Sequence, residues 1–284
     1  MVLRELFALY REHQLSYNRP ASVAAFDHST NQLRRLIGNP EVADLTSKQV
    51  QEFVSARREE CKPVSVNKDL RYLKGALRWG VEMGYLDLVP CKIRMLRCPK
   101  KRDLKVLTKA QIEKLIASAP GEYKLLIHLG AVTGMRLGEI LSLRWEHIIP
   151  EEERLVVRGE TAKSHQHRSI PLSETTLLLL REHRKRSRFP ADENLIFSTR
   201  NGTPKNRNNV SNSLKRIWEE AGLYQRGVPT THHLRHSAAS RMLSNGASIE
   251  TVREILGHAD CATTALYLHS DDEQKRQSVA ALKL

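Results

Sequence analysis

Apolar residues recur three or four positions apart through the first hundred residues, a spacing typical of helices with one buried face. Leu3, Leu6, Phe7 and Tyr10 are the first such set. Thr46 followed by Gln49 is a capping-box pattern that predicts a helix start. Four helices are therefore predicted: one from about Leu3, one from Pro20 to about Gly38, one from Thr46 to about Glu60, and one from about Ser65 to Met83.

The fourth predicted helix has two distinct faces. Its apolar stripe consists of Leu70, Leu73 and Leu77. A second stripe on another face is basic, because its members fall at positions i, i+3 and i+7. Such a stripe is found on ordinary solvated helices and also on helices that contact DNA phosphates. On the pattern alone, the ordinary solvated face is favoured. The basic stripe consists of Arg71, Lys74 and Arg78.

The pattern changes after residue 97. Residues 98–106 are charged, contain Pro99 and show no apolar period, which predicts an interdomain linker. Beyond it, predicted helices flank one β-hairpin with strands at 154–157 and 167–171. The predicted fold is mainly α with a small antiparallel β-sheet. We expect a helical domain over residues 1–97 and an α+β domain over residues 107–284.

Composition changes this picture mainly through charge. The 284 residues have a formal net charge of +14, and 40% of them are hydrophobic, enough at this length to build real cores. Residues 1–100 contain 17 basic and 11 acidic residues, net +6, so the remainder is net +8. Because both parts are basic, both are suited to a polyanion such as nucleic acid.

The cysteines and the apolar segments restrict the class of protein. Cys61, Cys91, Cys98 and Cys261 form no C-x-x-C pair, so neither a zinc site nor a redox motif is predicted. The N-terminal residues lack the apolar run of a signal peptide, and no segment approaches the roughly 18 apolar residues of a membrane span. We expect a cytoplasmic protein with reduced thiols.

The candidate chemistry lies in a set of short motifs. Thr-Thr-His-His-Leu-Arg-His-Ser at 230–237 places His232 and Arg235 three apart on a predicted helix, so they share a face. Leu-Gly-His ends at His258, and Tyr267 follows nine residues later. Upstream, Thr-Gly-Met-Arg-Leu-Gly-Glu at 133–139 predicts Arg136 at a helix start, with Glu139 placed to hold its guanidinium.

One more motif lies in the predicted hairpin. Thr-Ala-Lys at 161–163 precedes Arg-Ser-Ile-Pro-Leu at 168–172, which predicts Lys163 near the tip. In this order the motifs resemble those of tyrosine recombinases, the phage integrase family, strongly over residues 105–270. The first hundred residues are loosely similar to the family's SAM-like core-binding domain, and the size resembles Xer-type members. Beside this resemblance, DNA contact becomes the favoured interpretation of the basic stripe Arg71, Lys74 and Arg78. The resemblance implies six catalytic residues: Arg136, Lys163, His232, Arg235, His258 and Tyr267.

The resemblance also implies their roles. Tyr267 would attack a DNA phosphate and leave a 3′-phosphotyrosyl link and a free 5′ hydroxyl, with no metal, ATP or other cofactor. His232 would act as general base and Lys163 as general acid, while His258 would donate to the scissile phosphate. Arg136 and Arg235 suit the phosphate because a guanidinium binds oxyanions through a two-pronged fork.

Other interpretations compete with this one. A lone tyrosine, lysine or arginine in these settings is more often a structural residue, and only the ordered set favours catalysis. A type IB topoisomerase-like enzyme would use the same nucleophile, and a catalytically silent DNA-binding protein would keep only the binding surface. His232 and His236 are spaced as zinc ligands, yet His233 stands where a zinc protease motif has glutamate.

The resemblance further implies the partners. The substrate would be double-stranded DNA at a specific recombination site, bound by a homotetramer on two such sites. An accessory directionality factor or a partner recombinase fits the same scheme, and no membrane partner is expected. The C-terminal tail, residues 271–284, is predicted to dock on a neighbouring subunit. Action on the nucleoid would follow from a DNA substrate.

Overall fold

The computed structural model describes residues 1–18, 20–98, 106–158, 167–225, 230–258, 261 and 264. The chain divides into two compact units, Met1–Arg102 and Asp103–Leu284. The boundary falls inside the predicted linker, of which residues 99–105 lie outside the described part. Within the described residues, no helix combines the length and the apolar character needed to cross a membrane.

The first unit is a bundle of four helices. Its elements are α1 (Leu3–Tyr17), α2 (Pro20–Ile37), α3 (Ser47–Glu60) and α4 (Pro63–Glu82). Helices α2 and α4 pack against each other and both contact α1. The predicted capping box is formed. Thr46 Oγ1 accepts from the backbone amide of Gln49 at 3.2 Å, and Gln49 Oε1 accepts from the backbone amide of Thr46 at 2.8 Å. All four predicted helices are confirmed.

Helix α4 is amphipathic as predicted. Leu70, Leu73 and Leu77 are completely buried in the core of the bundle. Pro63 at the first helical position starts the helix two residues earlier than predicted, because its fixed φ suits that place and its missing N–H has no partner to lose there. A buried ion pair joins α4 to α3, in which Asp69 accepts from Arg57 Nε at 3.1 Å.

The second unit has a helical core with a small sheet at its side. Helix α6 packs on α5 and on α10, and nearly all its faces are buried. The helices are α5 (Lys109–Ser118), α6 (Tyr123–Thr133), α7 (Leu137–Leu141), α8 (Glu174–Arg186), α9 (Arg207–Glu220), α10 (Thr230–Ser244) and α11 (Ile249–Leu256).

The sheet contains the predicted hairpin and one further strand. Strand β2 (Arg154–Val157) pairs antiparallel with β3 (Arg168–Pro171), with Leu155 opposite Ile170. A two-residue strand β1 (Ile148–Ile149) adds to the outer side of β2, so the order is β1-β2-β3. Strand β1 was not predicted, because two residues are too few to show a period. The fold class, mainly helical with a small antiparallel sheet, is confirmed.

Candidate active site

Arg136 lies at the junction of two helices. Helix α6 ends at Gly134, which adopts a left-handed φ of 64°, and Arg136 is the residue before α7. Its Nη1 donates to Glu139 Oε1 at 2.9 Å, and its backbone amide donates to Glu139 Oε2 at 2.9 Å. The predicted position at a helix start and the predicted contact with Glu139 are both confirmed. Glu139 fixes the guanidinium and the start of α7 at once.

Glu139 is shared with a second arginine. Arg168 on β3 donates from Nη2 to Glu139 Oε2 at 2.7 Å and from Nη1 to Oε1 at 3.3 Å. Both side chains are buried, at 7% exposure for Arg168 and 2% for Glu139. Burial alone would raise the pKa of Glu139, but the hydrogen bonds and charge of Arg168, assisted by Arg136, hold that pKa below its ordinary value. The carboxylate is therefore ionised between two guanidinium groups.

The C-terminus of α11 brings three arginines together. The last carbonyls of a helix lack partners within it. At the end of α11, three consecutive backbone carbonyls each accept a hydrogen bond from a different arginine. Arg168 Nε donates to Ile255 at 2.8 Å, Arg235 Nη2 donates to Leu256 at 2.8 Å, and Arg136 Nη2 lies 3.4 Å from the carbonyl of Gly257. Positive charge at this end also interacts favourably with the partial negative charge of the helix dipole.

Arg235 links this terminus to the α6–α7 junction. The residue is on α10, is 4% exposed, and donates from Nη1 to the carbonyl of Gly134 at 2.8 Å. Its two Nη groups thus hold the backbone beside Arg136 and the backbone beside His258. Three sequence segments that are distant along the chain therefore meet at one guanidinium.

His258 directly follows the three carbonyls. Gly257 adopts a left-handed φ of 66° and ends α11, which turns the chain towards His258. The ring is buried at 5% exposure, and its Nδ1 lies 2.8 Å from the hydroxyl of buried Thr264. This contact fixes the ring plane. Thr264 was not predicted as a site residue, since a threonine within Ala-Thr-Thr-Ala gives no distinguishing signal.

The histidines of α10 occupy different environments. His232 is in the first turn and is exposed, whereas Arg235, three residues later, is buried. His233 and His236 are buried at 1% and 7% exposure, so they pack inside the protein. Among the described residues, no three His, Cys, Asp or Glu side chains are grouped as metal ligands.

Two of the six predicted residues, Lys163 and Tyr267, lie outside the described residues, as does the tail. The remaining four are Arg136, His232, Arg235 and His258. Arg136, Arg235 and His258 meet at the end of α11. Of the basic stripe on the first unit, Arg71 and Arg78 are exposed and Lys74 is half-buried.

The second unit matches a known protein family. Residues 105–274 match the model of the phage integrase family, which is more than half of the chain. The chain belongs to the phage integrase family. This recombinase is 26% identical over 284 residues to tyrosine recombinase XerC of Lactobacillus delbrueckii, covering 95% of this chain and 94% of that protein.

Solved structures show the same fold. An integrase of transposon Tn1549, in complex with transposon right end DNA, superposes with a TM-score of 0.83 at 18% identity, covering 99% of each chain. A lambda integrase tetramer bound to a Holliday junction gives a TM-score of 0.76 at 20% identity, covering 94% of this chain and 77% of that one. This chain is a two-domain tyrosine recombinase, and its function is site-specific DNA recombination.

Proposed function

We propose that this recombinase cleaves and rejoins DNA through a 3′-phosphotyrosyl intermediate formed on Tyr267. The phenol oxygen attacks the phosphorus, and the bond from phosphorus to the 5′ oxygen breaks. His232 accepts the phenol proton and Lys163 protonates the departing 5′ oxygen, so protons and charge balance within the site. The new ester keeps the bond energy, and a 5′ hydroxyl of another strand reverses the step without ATP or metal.

The observation that supports this proposal best is the convergence of Arg136, Arg235 and His258 at the end of α11. A phosphodiester is anionic, and its transition state develops further charge on the equatorial oxygens. Fixed donors aimed at those oxygens stabilise the transition state, and losing one such donor typically costs about 10²–10³ in rate. A guanidinium has five N–H donors, so one side chain can hold backbone carbonyls and also donate to phosphate.

Tyr267 requires help at neutral pH, because a free phenol has a pKa of about 10. His232, exposed in the first turn of α10, is the proposed base. His258 is the proposed donor to the scissile phosphate. Its Nδ1 lies 2.8 Å from the Thr264 hydroxyl, a contact that fixes the ring for this role.

The domain roles and partners belong to the same proposal. Residues 1–97 form the core-binding domain, 98–106 the linker, and 107–284 the catalytic domain with its tail. The basic stripe Arg71, Lys74 and Arg78 binds DNA phosphates. A homotetramer acts on two copies of a specific DNA site in the cytoplasm, on the nucleoid, with the tail docked on a neighbouring subunit. An accessory directionality factor or partner recombinase completes the assembly.

Trapping on a nicked suicide substrate tests the proposal. A nick close to the scissile phosphate lets the short 5′-hydroxyl fragment diffuse away, so the covalent complex accumulates. We expect an adduct with wild type, none with Tyr267→Phe, and equal DNA binding by both. An adduct that persists in Tyr267→Phe would contradict the assignment of the nucleophile. No adduct from wild type would favour a silent DNA-binding protein, and relaxation of supercoils without recombinants would favour a topoisomerase.

A further inference from the structure

Among the described residues, three arginines donate to the last carbonyls of α11, and Arg168 is the member of this set that the six proposed catalytic residues do not include. Its guanidinium donates from all three nitrogens, with Nε to the carbonyl of Ile255 and both Nη groups to the Glu139 carboxylate. Since Glu139 holds Arg136 as well, Arg168 is the direct link between Ile255 and the carboxylate that holds Arg136. Displacing Arg168 would therefore disturb both the Ile255 carbonyl and the Glu139 carboxylate that holds Arg136.

The backbone next to His258 also rests on this guanidinium. A Cβ atom placed on Gly257 would lie 2.8 Å from Arg168 Nη1 and 3.1 Å from its Cζ. Real Cβ atoms do not approach so closely, so the turn from α11 to His258 packs directly on the guanidinium. Arg168 thus contacts the segment that orients His258 and, through Glu139, the side chain of Arg136.

We propose that Arg168 is a positioning residue that sets Arg136 and His258 against the scissile phosphate. This inference rests on the proposed function of those two residues. Lysine cannot replace Arg168, because an ammonium is a single point and cannot span the Ile255 carbonyl and both carboxylate oxygens in one plane. Without Arg168, the Glu139 carboxylate would have Arg136 as its remaining guanidinium partner and would form a full ion pair with it.

The test compares two scissile groups in the suicide substrate. One substrate has an ordinary phosphodiester. The other has a methylphosphonate, in which a methyl group replaces one non-bridging oxygen and removes the negative charge. A defect in the placement of cations matters less on the neutral group, whereas a general loss of structure affects both groups alike. Arg168→Lys and Arg168→Met are assayed for DNA affinity and for single-turnover adduct formation on each substrate.

We expect both variants to bind DNA with unchanged Kd. Adduct formation on the phosphodiester should fall about 10²-fold, the typical cost of a misplacement near 1 Å. On the methylphosphonate the loss relative to wild type should shrink to less than about tenfold. The matched control is Arg154→Met on the neighbouring strand, because Arg154 pairs with Glu152 at 2.7 Å but is 38% exposed. This control should behave as wild type on both substrates.

A second variant covers the case in which Arg168 variants fail to fold. Gly257→Ala keeps the guanidinium but displaces it, and the same dependence on substrate charge is expected. Equal losses on both substrates, or wild-type cleavage by Arg168→Met, would overturn the positioning role. Loss of any Tyr267-dependent adduct in wild type would instead contradict the proposed function itself.

Discussion

Arg235 donates from Nη1 to the carbonyl oxygen of Gly134 at 2.8 Å, across 101 residues of sequence. The contact joins α10 to the turn that presents Arg136. Gly134 can offer this carbonyl because its φ of +64° turns the backbone after α6. The same glycine leaves room for Leu256, since an added Cβ would lie 2.5 Å from Leu256 Cδ2.

Gly134→Ala should therefore damage both stability and cleavage. A left-handed alanine costs about 1–3 kcal/mol, and the clash with Leu256 adds to that cost. Because the Leu256 carbonyl is a partner of Arg235, adduct formation should fall along with the free energy of unfolding, measured by urea titration. Gly121→Ala is the control, since Gly121 has φ +48° but an added Cβ meets nothing within 4 Å. Equal destabilisation by both variants would contradict the clash.

Acid should weaken the site through Glu139. Its pKa in the folded protein is depressed, since Arg168 and Arg136 outweigh the effect of burial. A depressed carboxyl pKa stabilises the fold above the unfolded value of about 4.3 and loses that contribution as pH falls through the folded value. Wild type should thus lose stability below about pH 4.3 more steeply than Glu139→Gln.

At pH 7, Glu139→Gln should have a clearly lower free energy of unfolding than wild type. Glu139→Gln removes the charge between two guanidinium groups, and breaking a buried pair in this way typically costs about 3–5 kcal/mol. Urea titrations at pH 7 and across the acid range measure both effects. Parallel pH profiles for wild type and Glu139→Gln would show that Glu139 is not the titrating group.

In the first unit, Asp69 should contribute far more to the free energy of unfolding than Asp27. Asp69 is 3% exposed and its partner Arg57 is 11% exposed, whereas Asp27 and Arg11 are 37% and 42% exposed. Asp69→Ala leaves Arg57 buried with only Glu60 beside it, so we expect a loss of about 3 kcal/mol. Asp27→Ala should cost at most about 1 kcal/mol. Similar losses in the two variants would contradict this ranking.

The basic stripe on α4 should appear in the salt dependence of DNA binding. Each phosphate contact contributes about 0.9 to the slope of log K against log salt concentration. Replacing Arg71 and Arg78 together with alanine should lower that slope by about two, for specific and nonspecific DNA alike. Arg58→Ala, at another exposed position of the same unit, should leave the slope unchanged. An unchanged slope in the double variant would place the stripe away from DNA.

Local features of the fold could be predicted from the sequence. The capping box at Thr46 forms as predicted, because it depends on residues three positions apart. The hairpin of β2 and β3 follows from two short apolar segments with a polar turn. Arg136 at the start of α7 follows from the Gly134 break and the Glu139 spacing.

Long-range features of the site could not be predicted. Nothing in the local pattern pairs Arg168 with Glu139, 29 residues away, or with the end of α11. An arginine at the start of a strand is usually exposed, and only the assembled fold buries it. The sequence does not predict the burial of His233 and His236 either, because that burial depends on the packing of α10 against α6, α9 and α11.

Helix α11 is eight residues long, and Val252 and Leu256 pack with Ala239 in a small cluster apart from the main core. Its terminal carbonyls nevertheless hold Arg168, Arg235 and Arg136 together. Moving this one short helix would displace Arg136 and Arg235, the two arginines proposed to bind the phosphate, together with Arg168, which we propose positions Arg136. Under the proposed function, the positive charge that faces the phosphate is therefore assembled or dispersed as a unit.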